Sequence, residues 1–156
     1  MPHAHLDATV RISAPADAVF ARLQDLSRFN DWNPFPSMDP TTVSTHEGPA
    51  SGPGAIFTYE GKRLGKGRME ITSVEAPSRV NIRMTFWRGA STSEASSAFT
   101  VHPTDGGSEV HWIFDEDRGF GMFLAGKLMF DRMMTGTFTS GLERLKALVE
   151  AEAHSA

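Results

Sequence analysis

Lys127 and Asp131 are the ionisable pair with the most chemical promise in this sequence. They stand in a segment, Phe120 to Ala153, where Phe120, Leu124, Met134, Phe138, Leu142, Leu145 and Val149 recur at helical spacing. By the 3.6-residue period both ionisable groups fall on that apolar side, with Leu128 beside them. A carboxylate desolvated among Leu124, Leu128, Met134 and Phe138 would have a raised pKa and could exchange a proton with a substrate. Asp131 is therefore the candidate general acid or base. The plainer alternative is a structural pair, with Lys127 snorkelling outward from Asp131. Thr135 flanks the same side and offers its hydroxyl to a ligand or to its own helix backbone.

Tyr59 is the only tyrosine in the chain. Its hydroxyl could orient a ligand carbonyl or reach water at a strand end. Phe35, Phe57, Phe86, Trp112 and Phe130 could wall a pocket, and so could Trp32. For Trp32 and Trp112 the simpler role is core packing. Ser93, Ala95 and Ser97 are successive inward positions of one expected strand, and all are small. Small inward side chains leave volume where a packed core would place Leu or Phe, unless Met84, Phe86 and Phe130 fill it.

Other chemistries find little support. The six histidines include no helical HExxH pair. His3 and His5 are near the N-terminus and His111 is on the outward side of its strand, so no metal site is expected. There is no cysteine, which excludes thiolate catalysis, disulfides and Cys-based zinc sites. No G-x-S-x-G elbow is present. Gly61 to Gly67 has the glycines and lysines of a phosphate loop but the wrong spacing, and reads as a basic hairpin turn. No cofactor is expected.

The elements that must position these residues follow from periodicity. Leu6, Ala8, Val10 and Ile12 alternate with polar residues as a first strand. Ser13 is a plausible N-cap for a short helix over Ala18 to Leu26 that buries Val19, Phe20 and Leu23. The two prolines and the Asn of Asp31 to Pro36 predict a loop. From residue 40 to 116 nearly everything reads as strands, with turns every ten to fifteen residues. Val80, Ile82, Met84 and Phe86 form the cleanest alternation, with Trp87 on the opposite face. A meander of hairpins followed by one long helix predicts an α+β domain with a mainly antiparallel sheet, curled around that helix.

The chain has 156 residues, is 40% hydrophobic and 22% charged, and carries a net charge of -4. One domain over 1–156 is expected, with room for a core. The acidic balance argues against a nucleic-acid partner. No apolar run suggests a signal peptide or a membrane span, so a cytoplasmic protein without integral membrane association is expected. Met129, Met133 and Arg132 fall on the back of the last helix, where exposed methionines would suit another subunit, as in a homodimer.

The order of elements resembles the START-like superfamily, also called the helix-grip, Bet v 1-like or SRPBCC fold. Its bacterial polyketide cyclase/dehydrase-like branch is the most similar. The resemblance rests on Val10-Arg11-Ile12-Ser13-Ala14-Pro15 with Val19-Phe20, and on Asp31-Trp32-Asn33-Pro34-Phe35. Gly48-Pro49, Ser51-Gly52-Pro53-Gly54, Gly141-Leu142 and Leu145-Lys146 complete it. It spans nearly the whole chain. It implies a curved antiparallel sheet wrapped around a long C-terminal helix, with two short helices after the first strand. It also implies a pocket between the concave face and the front half of that helix. The expected ligand is small and hydrophobic, a lipid, polyketide or aromatic molecule. The residues expected to line the pocket are Phe35, Phe57, Tyr59, Met84, Phe86, Ser93, Ala95, Ser97 and Trp112 from the sheet side. Lys127, Leu128, Asp131, Met134, Thr135 and Phe138 come from the helix. An enzyme using Asp131, or a protein-interaction module with a filled interior, are the alternative readings.

Overall fold

A computed structural model describes residues 3–88, 90–117 and 127–155. Strand β1 (His3–Ile12) is followed by helix α1 (Ala16–Leu23), a 3-10 helix (Leu26–Asp31) and helix α2 (Phe35–Met38). Six strands come next: β2 (Val43–Glu47), β3 (Ile56–Gly61), β4 (Gly65–Glu75), β5 (Arg79–Arg88), β6 (Ser91–Thr104) and β7 (Gly107–Asp117). Helix α3 (Lys127–Ser155) closes the chain. The seven strands form one sheet in the order β1-β7-β6-β5-β4-β3-β2, and every pairing is antiparallel. This is the expected helix-grip α+β fold.

Three local expectations are corrected. The expected loop at 31–36 holds only at 32–34: Asp31 ends the 3-10 helix, Pro34 caps α2 and Pro36 stands in its first turn. Backbone N–H groups are unpaired in a first turn anyway, so a proline costs little there. Asn33 Oδ1 accepts the Phe35 N–H at 2.9 Å and fixes the entry. The first helix starts at Ala16 and ends at Leu23, with Pro15 at its N-cap. Ser13 does not cap it; its N–H donates to the Glu150 carboxylate at 2.8 Å. Helix α3 is described from Lys127, so the expected helical turns around Phe120 and Leu124 lie outside the described residues.

Helix α3 buries Phe138, Leu142, Leu145 and Val149 against the sheet, one stripe at helical spacing. Gly141 lets it come close. A Cβ there would meet Pro34 at 3.0 Å and the Trp112 ring at 3.3 Å. The far end of the helix is tied by Arg22, whose guanidinium bonds Glu152 Oε1 at 3.0 Å and Asp31 at 3.1 Å. Arg144 donates to the Asn33 carbonyl at 3.0 Å and to Ser37 Oγ. Helix α3 is thereby braced on the short helices.

Candidate functional site: the concave face under helix α3

The register places the inward side chains in rows that run across the sheet. The outermost row is Tyr59, Gly67, Phe86 and Ser93. Next come Phe57, Met69, Met84 and Ala95. Ile71, Ile82, Ser97, Phe114 and Leu6 form the third row. Val80, Phe99, Trp112 and Ala8 form the fourth.

The inner rows are filled by aromatic rings. Trp112 stacks on Phe138 with centroids 4.1 Å apart and planes 11° from parallel. Phe29, Trp32, Phe35 and Phe99 surround this pair, with centroids 5.1 to 6.3 Å from Trp112. Phe57 sits edge-on to Phe29 at 4.9 Å. Such offset and edge-on pairs add to the area term of burial. Ser97 belongs to this packing: its hydroxyl donates to the Ile113 carbonyl at 2.8 Å and accepts Trp112 Nε1–H at 3.1 Å. Both of its obvious valences are used.

The outer rows are built differently. Gly67 has no side chain and Ala95 has one methyl. Phe86, Leu64 and Met134 are only partly buried, although each packs on the core. Ser93 is on the inward side of β6 as expected, but it is exposed at the end of the face and not enclosed by it. The Tyr59 ring packs on Phe35 with centroids 5.0 Å apart. Its phenol end reaches across β4 and lies over Gly67, where an added Cβ would fall 2.3 Å from Oη. Burial pushes the Tyr59 hydroxyl up to about 12, so it keeps its proton at any physiological pH.

The turn that carries Leu64 to this end is held by Asp39, which the sequence reading overlooked. Its buried carboxylate accepts from Thr41 N at 3.1 Å, Arg63 N at 2.7 Å and Leu64 N at 3.0 Å. Thr41 Oγ1 also donates to it. That hydroxyl first, then the backbone N–H groups of Leu64, Arg63 and Thr41, outweigh burial and hold Asp39 well below the usual carboxylate range. Asp-Pro-Thr at 39–41 is a turn signature that could have flagged it.

The sequence-based candidates divide accordingly. Tyr59, Met84, Phe86 and Ala95 stand in the two outer rows with Gly67, and Met134 and Leu64 are partly buried against the core. Phe35, Ser97, Trp112 and Phe138 form the packed end, and Phe57 joins it from the second row through its contact with Phe29. Thr135 is half-buried on α3, and its carbonyl accepts Thr139 Oγ1 at 2.8 Å. Lys127, Leu128 and Asp131 are on the first turns of α3, and their side chains lie outside the described residues, as do those of Met129 and Phe130. Met133 is 50% exposed, in keeping with a position on the back of the helix. Trp87 is on the outer face, where Lys66 Nζ stands 5.1 Å from its ring centroid. Among the described residues, no group of three or more His, Cys, Asp or Glu is placed to hold a metal ion.

A groove of about 680 Å³ lies on the opposite, outer face, over Ser96 and Ala98 and between Arg79, Arg83, Glu94 and Asp115. Its walls are charged with both signs and partly paired: Arg79 bonds Asn81 at 2.7 Å and Arg83 stands 4.0 Å from Glu70. It offers an apolar ligand little burial. The concave face is the better candidate.

The sequence profile described as "Polyketide cyclase / dehydrase and lipid transport" matches residues 3–150. The chain belongs to this family. It is thereby a START-like, SRPBCC-type protein, as the order of its elements implied. No curated protein matches it. Solved structures of similar fold include protein Ms6760 from Mycobacterium smegmatis, 19% identical with a TM-score of 0.64, covering 95% of this chain and 92% of that one. Protein MLL2253 from Mesorhizobium loti is 14% identical with a TM-score of 0.68, covering 95% and 98%. The Aha1 dimer from Colwellia psychrerythraea is 13% identical with a TM-score of 0.66, covering 94% and 96%. At these identities the likeness shows the fold alone. Among the described residues no helix is long and apolar enough to cross a membrane.

Proposed function

We propose that this family member binds a small, mostly apolar ligand between the outer rows of the concave face and the first turns of α3. One observation carries the reading: the two ends of one continuous apolar face are filled unequally. Aromatic rings pack the inner rows. The outermost row pairs the bare backbone of Gly67 with a partly open Phe86 and an exposed Ser93, and Leu64 and Met134 are partly buried against the core. An apolar ligand seated there would take those surfaces out of water, at about 25 cal/mol per Å² of apolar area. The family's description, which names polyketide cyclases and lipid transport, supports this ligand class.

Catalysis by Asp131 is the second reading. It is favoured only by the helical backbone at that position, which puts Asp131 one turn before Thr135 on the same element. The two readings separate in an Asp131→Asn variant, which keeps ligand binding in both cases and loses turnover only if Asp131 moves protons. The test of binding is native mass spectrometry of protein purified from its own host, with extraction of whatever is held. A defined apolar molecule released on denaturation is the expected result. A protein that comes empty, and that ignores lipids and polyaromatic probes, would leave the face a closed core and overturn the proposal.

A further inference from the structure

We infer that the end of the outer sheet face around Lys66 and Trp87 docks the protein on an anionic lipid surface. The inference does not depend on the ligand proposed above. Charge is the first observation. Residues 62–68 contain Lys62, Arg63, Lys66 and Arg68 and no acidic residue, in a chain whose net charge is -4. Lys62, Arg63 and Lys66 are exposed, and among the described residues none of them forms an ion pair. Arg68 bonds Glu70 at 2.9 Å and is the least available of the four. The turn that carries Lys62 and Arg63 is held from behind. The Lys62 N–H donates to Thr41 Oγ1 at 2.9 Å, and the N–H groups of Arg63 and Leu64 donate to Asp39 at 2.7 and 3.0 Å. A turn fixed in advance loses little freedom when its side chains meet a partner.

The register sets apolar surface among these cations. The outward row at this end of the sheet is Val43, Glu60, Lys66, Trp87 and Thr92. Val43 is 68% exposed. Trp87 is half-buried, with Lys66 Nζ 5.1 Å from its ring centroid. Leu64, in the adjoining turn, is half-buried too. Glu60 is the one acid in the row. An anionic bilayer fits this mixture. Each lysine or arginine near such a surface strengthens binding about fivefold. Lysine and arginine stems lie along apolar surface while their charged ends stay in water, and an indole ring settles at the level of the headgroups. A fluid interface takes up Val43, Leu64 and Trp87 without a matching pocket. A nucleic acid would meet the cations and leave Val43 and Leu64 in water.

Sedimentation of the full chain with two kinds of vesicle tests this, phosphatidylcholine alone and equal parts phosphatidylcholine and phosphatidylserine. The protein should pellet with the anionic vesicles and not with the neutral ones, and added salt should release it. Lys62→Gln, Arg63→Gln and Lys66→Gln together should weaken binding roughly a hundredfold. Trp32 and Trp112 are 1% and 0% exposed, so a change in tryptophan emission on binding belongs to Trp87. That emission should move to the blue and be quenched by brominated acyl chains, and Trp87→Phe should abolish both signals. Failure to bind anionic vesicles would overturn the inference. So would binding that the triple variant leaves unchanged, since the contact would then be elsewhere. Binding with no response of Trp87 would overturn the placement of this row at the interface. Tighter binding to duplex DNA than to the anionic vesicles, lost in the same variant, would overturn the choice of a lipid surface.

Discussion

At the Trp112 end of the concave face, rings from the 3-10 helix, α2, β3, β6 and α3 meet the inward side chains of β7. At the Phe86 end, the same strands present Gly67, Ala95 and a partly open phenylalanine. Both ends are apolar. They differ in what covers them. The short helices bring Phe29, Trp32 and Phe35 onto the Trp112 end and onto the β3 side, where Phe35 meets Tyr59 and Phe29 meets Phe57, but none of their rings is paired with Phe86 among the described residues. One sheet thus holds a rigid core and a candidate binding site side by side, and the same substitution should have unlike consequences at the two ends.

Truncation gives the largest contrast. Trp112→Ala removes the ring stacked on Phe138 and opens a cavity among rings that cannot collapse, at a cost of about 3–5 kcal/mol. Phe86→Ala, on the same face, should cost about 1 kcal/mol or less, since that ring is already partly in water. Urea unfolding of both variants measures the gap. Equal losses would mean that the outer rows are packed as firmly as the inner ones. Ser97→Ala comes next. It leaves Trp112 Nε1–H buried without an acceptor and should cost about 1–3 kcal/mol. Ser93→Ala, four residues away at the open end, should stay within about 0.5 kcal/mol. A third test adds volume. Ala95→Leu should leave stability within about 1 kcal/mol and abolish probe binding if the space beside Ala95 is free. If that space is filled, overpacking should destabilise the protein by about 1–3 kcal/mol instead.

The alternation of Val80, Ile82, Met84 and Phe86 made the sheet legible, and the spacing of Phe138, Leu142, Leu145 and Val149 did the same for the helix. Both are period signals, and burial of one face enforces them. The division between the two ends was not legible. Ser93, Ala95 and Ser97 read alike as small inward residues. The structure makes Ser97 a hydrogen-bond partner of Trp112, leaves Ala95 beside Met84, and puts Ser93 at an exposed end. Neighbours on β5 and β7 decide these fates, and no local pattern records them. Tyr59 was legible as a candidate, but its seat on Gly67 depends on the β3–β4 register. The loop expected at 31–36 held only at 32–34, because prolines were read as breakers where they also start a helix.

The smallest effect tests whether the packed end can be perturbed without touching the open one. His111 is on the outer side of β7, directly behind the inner rows. Its Nδ1 is 2.8 Å from Asp7 and 3.1 Å from Thr9 Oγ1, and its Nε2 is 2.9 Å from Glu109. Arg11 also stands 3.4 Å from Glu109, and the His102 ring lies 5.9 Å from the His111 ring. Burial pulls the imidazole pKa down, but the hydrogen bonds and charges of Asp7 and Glu109 outweigh it and raise the pKa above 6.5. A raised folded-state pKa stabilises the fold fully below about pH 6.5. That contribution is lost as the pH rises through the folded value. Stability should therefore fall modestly from pH 6 to pH 8, by less than about 1 kcal/mol because the cluster is partly exposed. His111→Gln should flatten that slope in thermal unfolding. Affinity for an apolar probe of the concave face should not change over the same range, since His111 is on the opposite face of the sheet. A matching pH dependence of affinity would show that the two ends are mechanically coupled, and the division between core and site would have to be withdrawn.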